Sequence, residues 1–443
     1  MALSDIIIIL ILATLPAYIF SWKLKVERQG PLILWRTKKG LKLLDRLARY
    51  KKFLKYFSEA GFVFAFGVFG AGYIFLNSKR DTKALLKTII TYLVFIVGAS
   101  IVAVPVVFTN NAVPLEFLAS LYIGGTGAFV LYGLMANTLT IIQSYMAGFT
   151  PMPGIAPIIP GVEIQGSPLF VPIHALFGLI ILVVVHEFSH GIVARAEKIK
   201  VKSLGVLTAG IFPIGAFTEP DEKQLKKVAT RKRMRVFSSG SMANFLCGII
   251  FLALFMSSLA VMQPKFVQDP TSVTPSYIPW SKDYINYLQI ADVENGSIAQ
   301  SAGFMQGMKI YNIDVAFSSK EPFAVETFVT DNGTITMQRN SSGYFGFSYY
   351  ANKNSNYPPG ILLEKYYIES LFWIFVLNFL VGVINFLPFA IFDGARIFED
   401  LFNFYMIKLG IRKRIGEKAI RAMTVFILVL FLINALPYFI ARF

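Results

Sequence analysis

Apolar residues run in eight blocks, at roughly 4–20, 60–77, 88–108, 116–146, 169–194, 237–262, 367–389 and 422–440. Each is near the ~20 residues that a bilayer-spanning helix needs. One polar stretch is long, residues 263–366. It opens on a linker with Pro264, Pro270, Pro275 and Pro279, alternates into strands from about 286 to about 350, and leaves through an Asn- and Pro-rich exit at 351–360. This pattern predicts an α-helical polytopic membrane protein of about eight transmembrane helices, with one α+β domain outside the bilayer. The first block has Asp5 where a signal peptide is basic and no small-x-small cleavage site, so it reads as a retained span.

Composition excludes a soluble globule. Of 443 residues, 55% are hydrophobic and 15% charged, against about 25% charged in soluble domains. A single cysteine, Cys247, excludes an intramolecular disulfide framework and a cysteine-based zinc cluster. The net charge of +16 would suggest nucleic acid in a soluble protein. In a membrane protein its placement matters more, and no nucleic-acid partner is expected. Thirty of the 42 Lys and Arg lie in residues 21–58, 195–235 and 396–421. The positive-inside rule places those blocks in the cytoplasm, 263–366 outside, and both termini outside. Three N-x-[ST] sequons, at Asn295, Asn332 and Asn340, fall in the outside stretch.

One loop disagrees. Lys79, Arg80, Lys83 and Lys87 should lie outside, yet the loop is basic. Either these side chains snorkel from a span end, or one of the first four segments dips without crossing. Residues 36–56, with Leu41, Leu43, Leu44, Leu47 and Leu54 among basic residues, suit either an interfacial helix or a solvated loop.

The fifth block carries the chemistry, His186-Glu187-Phe188-Ser189-His190. Histidines at i and i+4 share a helix face, so both imidazoles can reach one metal. Glu187 stands beside that metal without having to ligate it, the place for a general base. Ionisable groups inside a span cost several kcal/mol, roughly, unless paired or metal-bound, and are functional by default. His174, roughly 18 Å along the same helix, is too far to share the metal. A catalytic zinc wants three protein ligands. Asp393 is the only acid near the end of the seventh block, at a depth compatible with the histidines; the competing role is a cap for a following segment.

At this point the chain resembles the site-2 protease family of intramembrane zinc metalloproteases. The resemblance rests on His186-Glu187-x-x-His190, on Asn385-x-x-Pro388-x-x-x-x-Asp393-Gly394, and on Gly240-x-x-x-Asn244 at the start of the sixth block. It covers about residues 168–440. It implies one zinc per chain on His186, His190 and Asp393, with Glu187 activating the water, and Asn244 and Asn385 holding the substrate backbone or the oxyanion. Residues 205–217 are similar to the family's membrane-embedded β segment. Residues 292–314 resemble the strand, short helix and strand of a PDZ domain, for which a size filter excluding bulky ectodomains is the favoured role.

The implied partners are the lipid bilayer and single-pass or otherwise helical membrane-protein substrates, cleaved after their ectodomains are shortened. A substrate helix must unwind before water reaches its carbonyls, and a strand edge at 205–217 would pair the freed backbone groups. The expected organisation is 1–167 N-terminal membrane segments, 168–262 first part of the catalytic core, 263–362 PDZ-like extracytoplasmic domain, and 363–443 second part of the core. The expected location is the cell membrane. Competing functions are a non-catalytic scaffold or transporter with a structural metal, and a prenyl-protein-processing type of membrane zinc protease using Glu364 or Glu369. No motif assigns a role to residues 1–167.

Overall fold

A computed structural model describes residues 26–29, 32–78, 81–109, 115–156, 158, 160–161, 170–209, 212–262, 266–268, 277–279, 285–312, 321–341, 343–353, 359–411 and 415–440. The expected span at 4–20, Lys79 with Arg80, and most of the linker at 263–284 lie outside these residues.

The described helices are α1 (Leu41–Leu47), α2 (Lys51–Leu76), α3 (Thr82–Thr109), α4 (Leu115–Tyr122), α5 (Gly125–Met146), α6 (Leu176–Ala196), α7 (Glu222–Lys227), α8 (Thr230–Met262), α9 (Ile298–Ser301), α10 (Pro359–Ile384), α11 (Asp393–Lys408) and α12 (Gly416–Ile440). Seven of them, α2, α3, α5, α6, α8, α10 and α12, are long and apolar enough to cross a membrane. Their burial is inverted relative to a soluble fold. Ile89, Ile90, Leu93 and Val97 on α3, and Val425, Leu428, Val429 and Leu432 on α12, face outward, while Glu59, Ser238, Ser239, Asn244, Asn378 and Asn434 are buried. Lipid solvates the first set at no cost, whereas polar groups inside the bundle must find partners there. Asn434 does so through Asn137 at 2.6 Å and Thr138 Oγ1 at 2.7 Å. The chain is a multi-pass membrane protein.

Length misleads for α2, which turns back on itself at Phe66 and Gly67 (φ +50°). A Cβ at Gly70 would strike the Phe62 carbonyl, and the Phe62 and Tyr73 rings stand 5.9 Å apart; on a continuous helix residues 62 and 73 would be roughly 16 Å apart. Arg231 binds both ends of the hairpin, Glu59 at 2.7 Å and the Asn77 carbonyl at 3.2 Å. The expected single span at 116–146 is likewise two pieces. α4 reverses into α5 at Ile123–Gly125, bringing Phe117 within 4.9 Å of Phe129.

The two reversals meet tip to tip. Val68 N–H donates to the Ile123 carbonyl at 2.9 Å and Thr126 Oγ1 to the Phe64 carbonyl at 2.9 Å. Gly67 and Gly125 (φ +78°) both hold left-handed φ, and a Cβ on either would collide with the other hairpin's backbone, so glycine is needed for conformation and for contact alike.

The reversal of α2 bears on the discordant basic loop. Buried Glu59 pairs with Lys87 of α3 and with Arg231 and Arg235 of α8. The start of α3 therefore lies at the same end of the molecule as the basic block 195–235, as the positive-inside rule prefers when α2 dips and returns. In a Cys247→Ser background, Lys83→Cys should be labelled by an impermeant maleimide from the same side as Lys223→Cys and opposite to Asn295→Cys. Labelling of Lys83→Cys with Asn295→Cys would mean that α2 crosses.

The expected interfacial helix at 36–56 is corrected by a strand and two helices. A sheet of order β1-β2-β3-β4 combines β1 (Glu27–Gln29), β2 (Leu32–Thr37), β3 (Val201–Ala209) and β4 (Phe212–Pro220), all antiparallel. Trp35 Nε1 donates to Thr208 Oγ1 at 3.0 Å, and Ile33 and Leu34 are buried. Gly40 (φ +93°) then turns the chain into α1, whose Leu44 packs with Val193 and Ala194 of α6 rather than into lipid. Of the β segment expected at 205–217, residues 205–209 lie in β3 and 212–217 in β4, and the two between lie outside the described residues.

Beyond α8 lie a two-stranded ribbon, β5 (Phe266–Gln268) and β6 (Tyr277–Pro279), and a five-stranded antiparallel sheet. The sheet runs β10-β9-β8-β7-β11, with β7 (Ile285–Val293), β8 (Lys309–Ile310), β9 (Val325–Thr330), β10 (Gly333–Gln338) and β11 (Phe347–Lys353). It has its own core of Leu288, Ile290, Ala299, Phe304, Ile310 and Phe328. Among its described residues the only helix is α9, four residues long and capped by Ser297.

Candidate metal centre

Leu, Ile and Val fill α6 up to His186, and the helix stops shortly after His190. Lys198 adopts φ +65° and Ile199 N–H returns to the Ala194 carbonyl at 2.8 Å, a left-handed helix end that turns the chain directly into β3. The β3–β4 hairpin is thereby folded against the helix that carries both histidines.

The third acid arrives from a broken segment. The run expected as one span to residue 389 stops as a helix at Ile384, and Asp393 is the first residue of α11. The Gly394 N–H donates to the Asn385 carbonyl at 2.7 Å, closing the 385–394 turn on itself. Asp393 Oδ2 lies 3.2 Å from His186 Nε2 and 3.1 Å from His190 Nε2, and the two Nε2 atoms are 3.1 Å apart.

These three atoms fit a metal. His190 Nδ1 meets the Val236 carbonyl at 2.7 Å, so it carries the ring proton and leaves Nε2 bare. Asn244 Nδ2 lies 3.1 Å from His186 Nδ1, and Asn244 Oδ1 is buried with no donor. A half-turn of that amide lets Oδ1 accept the Nδ1–H and bares the second Nε2 as well. Two N–H groups cannot face each other at 3.1 Å, and Asp393 Oδ2 is buried without a donor. With both rings protonated on Nδ1, three lone pairs converge on one point, where a metal cation would satisfy all of them. Their spacing is close to the roughly 3.3 Å edge of a tetrahedron built on zinc–ligand bonds of about 2.0–2.1 Å.

α8 closes the remaining side. Ser238, Ser239, Gly240 and Ser241 are buried in succession, and Ser189 Oγ donates to the Ser239 carbonyl at 2.9 Å. Small residues let the two helices approach closely. A Cβ on Gly240 would lie 2.5 Å from His190 Nε2 and 2.7 Å from His186 Nε2, inside the space a metal would take.

Glu187 faces the hairpin. Its Oε2 accepts the Thr218 N–H at 2.7 Å, and its main-chain carbonyl accepts Thr218 Oγ1 at 2.5 Å. β4 is the last strand of the sheet, so the carboxylate binds the sheet's edge. Nothing in the sequence pointed to Thr218 or to the Val236 carbonyl; both are backbone partners contributed by distant elements. Asn385 contributes its main-chain carbonyl to the turn below Asp393, and its side chain is half-buried.

His174 stands apart, 3.5 Å from Glu369, which also takes Lys365 Nζ at 2.6 Å. Glu369 is therefore committed elsewhere, and among the described residues neither it nor Glu364 joins the group formed by His186, His190 and Asp393, which removes the basis for the prenyl-processing type of site.

A His-His-Asp cluster with an adjacent glutamate, set among membrane helices, defines the class of membrane metallopeptidases. The chain belongs to peptidase family M50, the site-2 proteases, whose profile matches residues 174–432. Members of that family are zinc metalloproteases. The chain is also similar to an uncharacterised protein of Methanocaldococcus jannaschii, 25% identical over 266 residues, which is 58% of this chain and 67% of the relative.

Proposed function

We propose that this chain is a zinc-dependent intramembrane endopeptidase that cuts helical membrane proteins within or near their transmembrane segments. The observation that supports it most is the convergence of one ligand atom each from His186, His190 and Asp393 on one point, with Glu187 beside them bonded to the edge strand β4. His186, His190 and Asp393 hold the metal, one zinc per chain. Zinc held there would supply a Lewis acid that polarises the scissile carbonyl and makes water more acidic.

The other residues act around that point. An unwound substrate segment adds to β4 as a further strand, which pairs backbone groups that lipid would leave bare. Ala216, two residues from Thr218, turns its N–H and C=O to the same edge by strand alternation. Glu187, tethered to Thr218 N–H, takes the proton from the attacking water and passes it to the leaving amine. Asn244 fixes the His186 ring, and the Asn385 side chain contacts the substrate backbone or the oxyanion. The extracytoplasmic domain is PDZ-like and filters substrates by size, admitting those whose ectodomains have already been shortened, as in regulated intramembrane proteolysis at the cell membrane.

Metal content tests the reading. Detergent-purified wild type should carry about one zinc per chain, and Asp393→Ala should lose affinity by more than the 10–100-fold, roughly, that loss of an outer partner costs. Full zinc retention in Asp393→Ala would remove Asp393 from the ligand set. A wild type that takes no metal would leave a structural scaffold as the better description.

A further inference from the structure

The family profile begins at residue 174, yet a residue before it packs against the turn that carries Asp393. The Phe386 carbonyl, in the turn that carries Asp393, lies between two glycines from different helices. On one side is Gly127 of α5, where a Cβ would stand 2.6 Å from Phe386 O and 3.0 Å from the Ala65 carbonyl of the α2 hairpin. On the other is Gly394, where a Cβ would strike the same Phe386 carbonyl and stand 2.6 Å from Leu387 O. Gly394 is the residue after Asp393. Three layers of main chain are therefore stacked without intervening side chains: the start of α5, the 385–387 turn, and the start of α11.

The α2 hairpin holds the same helix further along. Tyr405 Oη of α11 donates to the Phe69 carbonyl at 2.6 Å, Phe398 meets Phe66 at 5.9 Å between ring centroids, and Phe404 meets Tyr73 at 4.8 Å. On the α8 side, Arg233 Nε donates to Asp400 at 2.9 Å. The height of Gly127 is in turn set by the glycine-to-glycine docking of the two hairpin tips.

We propose that the paired re-entrant hairpins of the N-terminal region buttress the third metal ligand, with Gly127 as the positioning residue that sets where Asp393 stands. This rests on the reading that His186, His190 and Asp393 bind a metal. Main chain packed on main chain has no rotamer to relax. A methyl at 127 must push the Phe386 peptide toward Gly394 or lift the α4–α5 hairpin, and either shift reaches Asp393. A role for the α2 and α4–α5 hairpins is then to complete the geometry of a site whose ligands all lie downstream.

A double-mutant cycle with cobalt(II) as a visible probe of the site tests this on the full-length protein in detergent. Gly127→Ala should weaken cobalt binding by about 10- to 100-fold and lower the d–d absorption toward that of Asp393→Ala. In the double variant the loss should be no greater than in Asp393→Ala alone, because the glycine acts through that ligand. Gly133→Ala, on the same helix with no atom within 4 Å of its added methyl, should behave as wild type. Should Gly127→Ala not fold, Tyr405→Phe enters the same cycle with the same expected non-additivity. Losses that multiply in the double variant, or a Gly127→Ala spectrum and affinity equal to wild type, would overturn the inference while leaving the metal site standing. A wild type that binds no cobalt would overturn both.

Discussion

Glu187→Gln should leave zinc content at the wild-type level while lowering peptide hydrolysis by about 10²- to 10⁴-fold, the range that removal of a positioned acid–base group produces. The argument is geometric. Glutamine matches glutamate in shape, and its Oε1 can still accept the Thr218 N–H that holds Glu187 at 2.7 Å. None of the three converging ligand atoms changes, and what disappears is the capacity to take a proton. Zinc by metal analysis and cleavage of a reporter transmembrane segment in nanodiscs separate the two effects. Loss of zinc would make Glu187 a ligand or a structural prop. Unchanged hydrolysis would put the general base elsewhere.

Much of the candidate site was legible in the sequence because its chemistry is local. Two histidines one helical turn apart must share a face, and an acid inside an apolar run has few reasons to be there. What stayed hidden depends on direction rather than on residue type. A hydropathy window reports the length of α2 and of α4–α5, not that each doubles back; the signals were a glycine at 67 and a pair at 124–125, which composition alone does not distinguish from packing glycines. The basic loop at 79–87 carried the topological information, since positive charge on the wrong side is costly to explain otherwise. β1 and β2 were missed because their residues mix charge with Ile33, Leu34 and Trp35 and acquire meaning only beside β3, some 170 residues later. The 3.1 Å contact of Asn244 with His186 Nδ1 was not legible either, because it depends on the α6–α8 crossing that the serine and glycine run at 238–241 permits.

Gly240→Ala should abolish zinc binding without touching a ligand. Alanine in place of glycine in a helix interior ordinarily stabilises by roughly 0.5–1 kcal/mol, which offsets part of the cost of displacing the rings, so the metal-free protein should still fold. The added methyl, however, would lie 2.5 Å and 2.7 Å from the two Nε2 atoms that must reach the metal. α8 cannot back away to make room. Ser238 Oγ is bonded to the Ser58 carbonyl at 2.6 Å, the Ser239 carbonyl to Ser189 Oγ at 2.9 Å, and Arg235 pairs with Glu59 and Glu197 one turn earlier. The rings must therefore rotate, which breaks the Nδ1 contacts to Val236 and Asn244 that bare both Nε2 atoms. Gly248→Ala is the control on the same helix, since its methyl would make only ordinary contacts at 3.4 Å or beyond. Zinc lost in Gly240→Ala and kept in Gly248→Ala, with both metal-free proteins still folded, places the metal against α8. Zinc retained in Gly240→Ala would mean that the imidazoles meet their metal on the other side, and the ligand geometry argued from Asp393 would have to be abandoned.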